Sequence, residues 1–577
     1  MLEDDDEILE NATGITIFPP ENEEVTDEDS GDENVVDIND LPGLQLRAPA
    51  EINLNRRVDD SDFSSDDDLP IAQLIPEKPA DKNLSAKKQK RYNWTKEDLP
   101  PPIISDMAAD PIDLRVNENM KSPLDFFECF FDEELIDIIV EETNRYAAQK
   151  NRSQRVNKTE IKAFLGVLIL SGYVCVPRRR MFWERENDSH NVLVAECITR
   201  DKFEFILSNI HVKNNEDLDI ADRFSKVRPL FDHLNRKFME NNQMEEMHCV
   251  DEAMVPYFGR HGCKQFLRGK PIRYGYKLWV GSTRLGFVNW FEPYQGASTN
   301  ISVTYSNYGV GAAVVLEYAE TLRKKWRDEK MHIFFDNFFT TIPLMEKLTD
   351  MGFQATGTIR ENRVSGNPLL DSKVLKKQDR GSFDFAKITD HNIIVVKWND
   401  NNLVCLCSNN SGVNPICNVR RFSRKEGKHI QIQQPHLVRL YNANMGGVDR
   451  SDQNIGLYRT SIRGKKWYFP LITHCVDLAI QNAWHLHRNN GGVLDLLKFK
   501  RRIATVLLTQ NRKPPSTSRG RPSALVNIDI RYDRLDHLII IQPKQTRCGE
   551  CHDRTTTRCR KCDVGLHAKC FVAYHTK

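Results

Sequence analysis

The chain has 577 residues, enough for two to four domains, and its 81 basic and 81 acidic residues leave no net charge. The balance is uneven along the chain: residues 1–70 hold 23 acidic residues against three arginines and no lysine, a net of −20, so residues 71–577 carry +20. An acidic tail ahead of a basic body points to a polyanionic partner and excludes none of the hydrolytic or DNA-processing classes. It does argue against a membrane protein, since the longest apolar run, residues 163–177, is too short and interrupted to span a bilayer.

The first ten residues are acidic and lack the basic-then-apolar order of a secretory signal. Residues 1–115 are rich in Asp, Ser and Pro and poor in aromatics, the composition of a disordered tail. Ser64 and Ser65 precede three aspartates, a site for an acid-directed kinase, and the basic cluster at 87–91 reads as a nuclear import signal or a solvated linker. Order is expected from about Ser122. Residues 116–245 read as a helical domain, with apolar positions at Leu124, Phe126, Phe127, Phe130, Leu135 and Ile138, then a run from Ile161 to Ile169, then Phe203, Ile206 and Ile210.

From Met247 the pattern changes to strands, and residues 246–360 read as the first part of an α/β core. Residues 247–250 form an apolar run that ends on Asp251 and Glu252. The stretch 264–277 interleaves Lys264, Arg268, Lys270 and Arg273 with aromatics, the composition expected beside a nucleic-acid backbone. Residues 311–326 read as a helix. Residues 331–343, M-H-I-F-F-D-N-F-F-T-T-I-P, read as a short buried strand that stops on Asp336 and runs into a helix. In α/β folds the carboxyl end of such a strand is where chemistry is placed.

Residues 361–435 hold Gly, Asn and Asp turns and short strand-like runs, and are expected to form an inserted β-rich subdomain. Residues 436–455 return to the core. A Gly446-Gly447 pair there precedes a helical segment in which Asp449 and Asp452, three apart, share a face. Residues 456–510 are helical again, with Arg463, Lys465 and Lys466 as candidate DNA contacts. Residues 511–546 form a basic linker in which Arg519 and Arg521 suit an AT-rich minor groove.

Asp251, Asp336 and Asp449 thus stand at expected element boundaries. Phosphoryl transfer by two metals needs carboxylates that converge on cations about 3.5–4 Å apart, and hard oxygen donors select Mg²⁺ or Mn²⁺. At these residues the sequence resembles the piggyBac transposase family. The matching segments are Val250-Asp251-Glu252, residues 335–343 (F-D-N-F-F-T-T-I-P) and residues 446–453 (G-G-V-D-R-S-D-Q). The resemblance implies an RNase H-like catalytic core with an inserted domain, flanked by a helical dimerisation and DNA-binding domain. It implies that Asp251, Asp336 and Asp449 are the catalytic, metal-holding triad and Asp452 a further active-site carboxylate. It implies cut-and-paste transposition through hairpin ends at TTAA targets, in the nucleus, by a homodimer.

The final segment, 547–577, contains five of the 14 cysteines, in the order Cys548, Cys551, Cys559, Cys562, His567, Cys570, His575. Paired Cys-x2-Cys knuckles followed by His and Cys point to zinc, and the lack of a secretory signal points to a reducing compartment. Seven ligands exceed one site, so two zinc ions in a cross-brace are expected: Cys548, Cys551, His567 and Cys570 around one, and Cys559, Cys562 and His575 with an eighth ligand, such as His552, around the other. The segment is similar to the cysteine-rich domain of piggyBac transposases, which binds transposon-end DNA. Two other readings remain open: a domesticated DNA-binding protein without transposition activity, and a zinc module that binds protein.

Overall fold

The computed structural model describes residues 92–100, 121–510, 531 and 537–576, except 185, 187, 268, 269, 297, 298, 300, 365, 424 and 425; at 12–17 and 50–54 only the backbone is described. Two compact units result, Met1–Lys513 and Pro514–Lys577. Among the described residues no helix is long and apolar enough to cross a membrane.

In the first unit, β1 (Ala12–Ile17) pairs with β2 (Ala50–Leu54), and β3 (Trp94–Thr95) joins the main sheet. The helical layer starts at Ser122, whose hydroxyl accepts from the Asp125 N–H while Asp125 accepts from the Ser122 N–H, a capping box that satisfies two orphan donors. It comprises α1 (Pro123–Glu128), α2 (Glu133–Gln149), α3 (Lys158–Ser171), α4 (Val192–Cys197), α5 (Arg200–Asn209) and α6 (Arg228–Asn241). A second capping box, Asn157 with Glu160, starts α3.

The core follows as β4 (Met247–Pro256), β5 (Lys264–Phe266), β6 (Tyr274–Thr283), β7 (Val288–Pro293), α7 (Val310–Lys325), β8 (His332–Phe335), α8 (Ile342–Asp350) and β9 (Gln354–Thr358). Then come β10 (Phe383–Ile388), β11 (Ile393–Asn399), β12 (Leu403–Ser408), β13 (Cys417–Ser423) and β14 (Lys428–Gln434). Four helices close the unit: α9 (His436–Asn444), α10 (Gly447–Leu457), α11 (Phe469–Asn489) and α12 (Leu496–Gln510).

One ten-stranded sheet runs β3-β10-β11-β12-β9-β8-β4-β6-β5, with β7 also on β6. Only β4–β8 and β8–β9 pair in parallel, and α8 supplies the crossover that β8 and β9 require. Both faces are covered. Along β6 the side chains alternate: Leu278 and Val280 enter the core shared with α1, α6 and α11, while Trp279 enters the core under α7 and α8. Burial of both faces explains why β8 (H-I-F-F) reads as a short buried run with no polar alternation.

Two boundaries differ from expectation. The segment 361–435 is not a separate body: β12 pairs with β9 (Leu406↔Thr358) and carries β11 and β10 onto the same sheet, leaving only β13–β14 as a local ribbon. The tail expected over 1–115 is docked at 92–100, where Trp94 and Thr95 pair with β10 and the Asp98 carboxylate accepts from the Val413 and Asn414 N–H groups at 2.9 and 3.0 Å.

A buried ion pair ties the last helices together. The Lys500 ammonium on α12 lies 2.7 Å from the Asp477 carboxylate on α11, both side chains no more than 4% exposed. Asp477 also accepts from the Thr460 N–H and hydroxyl, so it anchors the loop before α11. Lys500→Met leaves that carboxylate buried without its cation. It is expected to cost about 3–5 kcal/mol in urea unfolding, with Asp477→Leu in the same chain recovering part of the loss.

Candidate carboxylate centre and cysteine–histidine clusters

The parallel pairing of β4 with β8 sets Val250 opposite Phe335, so the next residues, Asp251 and Asp336, emerge side by side. Asp336 ends its strand as expected. Its carboxylate accepts from the Phe338 N–H at 2.9 Å, and its carbonyl accepts from the Thr340 hydroxyl at 2.8 Å, which turns the chain toward Thr341, the N-cap of α8. Asp251 does not end a strand: β4 continues to Pro256, because β6 pairs with it as far as Gly275.

The third element is α10. Gly447 N–H donates to the Cys249 Sγ at 3.2 Å, and a Cβ at Gly447 would lie 2.1 Å from the Thr283 carbonyl oxygen and 2.5 Å from that sulfur. Only glycine lets the helix approach β4 and β6 this closely, and Gly446 before it has φ +112°, a left-handed conformation. The approach brings Asp449 and Asp452 to the same site. Burial, then the neighbouring Glu252, pushes the Asp251 carboxyl well above its ordinary range, with Asp336 adding repulsion. Asp336 is raised by burial and Glu252, and burial pushes Asp452 up to about 7. Lys270 stands among them. Its ammonium lies 3.4 Å from Glu252 and interacts electrostatically with Asp251, Asp336, Asp449 and Asp452. Lys270 is thus the cation shared by all five carboxylates, while Lys277 also acts on Glu252 and Arg459 on Asp452. The oxygens of Asp251, Asp336 and Asp449 do not close to within 4.8 Å of one another as the two ligand groups below do.

In the second unit, β15 (Ile539–Arg547), β16 (Arg554–Cys559) and α13 (Ala568–His575) present two groups whose ligand atoms lie within 4.8 Å of one another. One is Cys548, Cys551, His567 and Cys570. The other is Cys559, Cys562 and His575 with His537. They alternate along the chain, which is the cross-brace order. The eighth member is thus His537 and not His552, which is exposed, has φ +64° and turns the Cys548 knuckle. His537 Nδ1 lies 3.4 Å from the Cys559 Sγ and 3.5 Å from the Cys562 Sγ. Spacing alone missed it because it precedes the first cysteine by eleven positions. The outer ring nitrogens are also fixed: His567 Nε2 is 3.0 Å from the Arg554 carbonyl oxygen and His575 Nδ1 is 2.9 Å from that of Phe571. That leaves His567 Nδ1 and His575 Nε2 toward the sulfurs, the orientation metal-ligating imidazoles take. Burial acts against the Cys548 thiolate, but the Cys551, His567 and Glu550 N–H groups pull the thiol down to about 6.

A family model described as Transposase IS4 matches residues 122–484. Human PiggyBac transposable element-derived protein 3 is 46% identical over 591 aligned positions, covering 100% of this chain and 98% of that protein. The chain belongs to the piggyBac transposase family. Human PiggyBac transposable element-derived protein 2 is 44% identical, over 98% of this chain and 93% of its own length. A solved structure described as a piggyBac transposase synaptic complex with hairpin DNA superposes with a TM-score of 0.58 at 22% identity, over 79% of this chain and 97% of that one, a likeness of fold.

The basic residues expected to meet DNA in this piggyBac family member divide. Arg273, Arg463 and Lys465 are exposed, Lys264 is partly buried, and Lys270 is in the carboxylate cluster. Lys466 is taken up inside the fold, 4.1 Å over the Tyr146 ring and 3.2 Å from the His211 Nδ1. Arg268, Arg519 and Arg521 lie outside the described residues.

Gly447→Ala is expected to destabilise the first unit by about 1–3 kcal/mol through overpacking against β4, read by thermal unfolding. For the second unit, elemental analysis of the purified full-length protein should give two zinc ions. His537→Ala and Cys548→Ser should each lose one, and His552→Ala none; equal zinc content in His537→Ala and the parent would remove His537 from the site.

Proposed function

We propose that this chain is a DNA transposase that cuts and rejoins DNA at TTAA targets, with Asp251, Asp336 and Asp449 holding two divalent cations and Asp452 beside them. The observation that carries this reading is the register that sets Asp251 next to Asp336, with α10 packed so close that Asp449 and Asp452 reach the same point. The block β7-β6-β4-β8-β9, with its parallel β4–β8–β9 centre, supports an RNase H-like core.

The donor set fits the cations. Carboxylate oxygens are the hard ligands that Mg²⁺ and Mn²⁺ select, and buried acids raised by mutual repulsion are relieved by a nearby positive charge. When bound, such a pair lowers the pKa of an attacking water or 3′-hydroxyl and stabilises the leaving oxygen. The protein's part is geometric. The β4–β8 register fixes the spacing of two carboxylates, Gly447 fixes the depth of α10, and Lys270 offsets the charge of the cluster. Cysteine and histidine in the second unit fit zinc instead, and its net +8 over residues 511–577 favours a DNA surface. A nuclear site of action, with the cluster at 87–91 as import signal, and a homodimer on DNA complete the reading.

A second reading is a sequence-specific DNA-binding protein that keeps the fold without cutting. It uses the same fold and the same exposed basic residues, Arg273, Arg463 and Lys465, and differs in the absence of cleavage.

One experiment separates them. The genomic DNA flanking this gene, with any TTAA-bounded inverted repeats it carries, is incubated with the protein and Mg²⁺ or Mn²⁺. Nicking and strand transfer are expected, and Asp251→Asn, Asp336→Asn or Asp449→Asn should reduce them by more than the roughly 10–100-fold that losing an outer-shell partner costs. DNA binding should change little, because each change removes a cation ligand and no DNA contact. Binding without any cleavage by the parent protein would establish the second reading.

A further inference from the structure

A cavity of about 540 Å³ opens between the end of β4 with its following turn, the loop 459–465 and the first turns of α11. Three cations line it: Arg459, Arg463 and Lys465. Arg463 and Lys465 are exposed, and Arg459 is largely enclosed. Among the described residues Arg459 makes no hydrogen bond or ion pair. The carboxylates it feels are Asp477 and Asp452, and burial outweighs them, which pulls its pKa down. Asp477 is the one acidic residue in the lining and is already held by Lys500 and Thr460. Three cations against one acidic residue, itself held by Lys500, leave the lining net positive.

The remaining walls are aromatic. Tyr257 stacks on Tyr276 with ring centroids 4.9 Å apart and planes 18° apart, which fixes its ring, and Phe258 beside it is 72% exposed. At Gly464 a Cβ would lie 2.7 Å from the Phe469 ring, so only glycine lets the cationic loop fold in over that ring. His474, buried at 4% exposure, also lines the cavity, and its Nδ1 has no partner.

We propose that this cavity receives a single nucleotide swung out of the DNA strand, its base against Tyr257 and Phe258 and its phosphate on Arg459, Arg463 and Lys465. The volume falls within the roughly 300–1,000 Å³ of sites that enclose small-molecule-sized groups, too small for a duplex. Stacking faces combined with unpaired cations are what unstacked nucleotides bind. An acidic peptide would use the cations and leave the aromatic wall without a role. The choice of DNA as the polymer rests on the transposase reading; the cavity itself does not.

The test uses full-length protein and a DNA hairpin with a TTAA loop carrying 5-iodouracil at each loop thymine. Irradiation of the complex should cross-link Tyr257 or Phe258, identified by mass spectrometry, and Phe258→Ala should cut the yield about tenfold. Arg459→Gln should weaken hairpin binding about tenfold while changing binding of the fully paired duplex less than about twofold. Cross-links found only elsewhere, or equal losses on hairpin and duplex, would overturn the proposal. So would polyglutamate competing for the site with no cross-link formed. A protein that binds and cross-links the hairpin but never cleaves would leave the cavity assigned and remove the transposase reading. One that cleaves without the cross-link would do the reverse.

Discussion

The parallel pairing of β4 with β8 is the constraint on which the rest depends. Four register pairs, from Met247↔His332 to Val250↔Phe335, hold two carboxylates 85 positions apart in sequence on neighbouring strands. Parallel neighbours cannot be joined by a tight turn, so the chain must travel out and back, and α7 and α8 are that travel. Their burial covers one face of the sheet, and α1, α6 and α11 cover the other. A one-residue slip would turn Asp251 to the opposite face and seat its apolar neighbour at the centre. The apolar load on both faces is what makes that slip unaffordable.

The second unit solves the same problem without a core of comparable size. Its buried cluster is four cysteines, Leu566 and Tyr574, with Val564 and Phe571 packed alongside, while Leu538, Ile540 and Ile541 on or beside β15 stay exposed. So little apolar burial cannot offset the ordering of some forty residues. The two cysteine–histidine groups are placed where a structural ion would supply the difference, on the order of 10 kcal/mol per site. The first unit is thus organised by hydrogen-bonded register and the second by ligand geometry.

How much of this was legible depended on whether the determinant was local. Asp336 was, because a four-residue strand, a polar break and the Thr341 cap lie within a dozen positions. The start of the helical layer at Ser122 was too, since its capping box spans four residues. Asp251 was assigned to a strand end, because nothing local shows that β6 prolongs β4 to Pro256. The stretch 264–277 looked like a basic loop, yet its last residues are sheet core: Lys277 is 6% exposed, its ammonium 4.2 Å over the Trp279 ring. The β-rich content of residues 361–435 was legible because it is local, whereas the edge that accepts those strands, Thr358 of β9, is not. His537 and Arg459 escaped for the same reason: a ligand or an unpaired cation is defined by what surrounds it in space.

Lys270 shows how the carboxylate centre stays folded. Five acidic side chains in one partly buried site repel one another, and burial removes the water that would screen them. Burial and like-charge repulsion raise Asp251, Asp336 and Asp452, while Glu252 is held below its ordinary range with Lys270 beside it. The lysine answers this repulsion with one charge on a flexible stem, close to Glu252 and within electrostatic reach of the other four. Lys277 and Arg459 add positive charge at the edges of the cluster, acting on Glu252 and Asp452 respectively. The Lys270 charge is carried on a long stem that reaches the acidic cluster from the basic stretch 264–277. The same residue therefore fits both of its sequence-level descriptions, a basic side chain beside DNA and a partner of the acidic cluster.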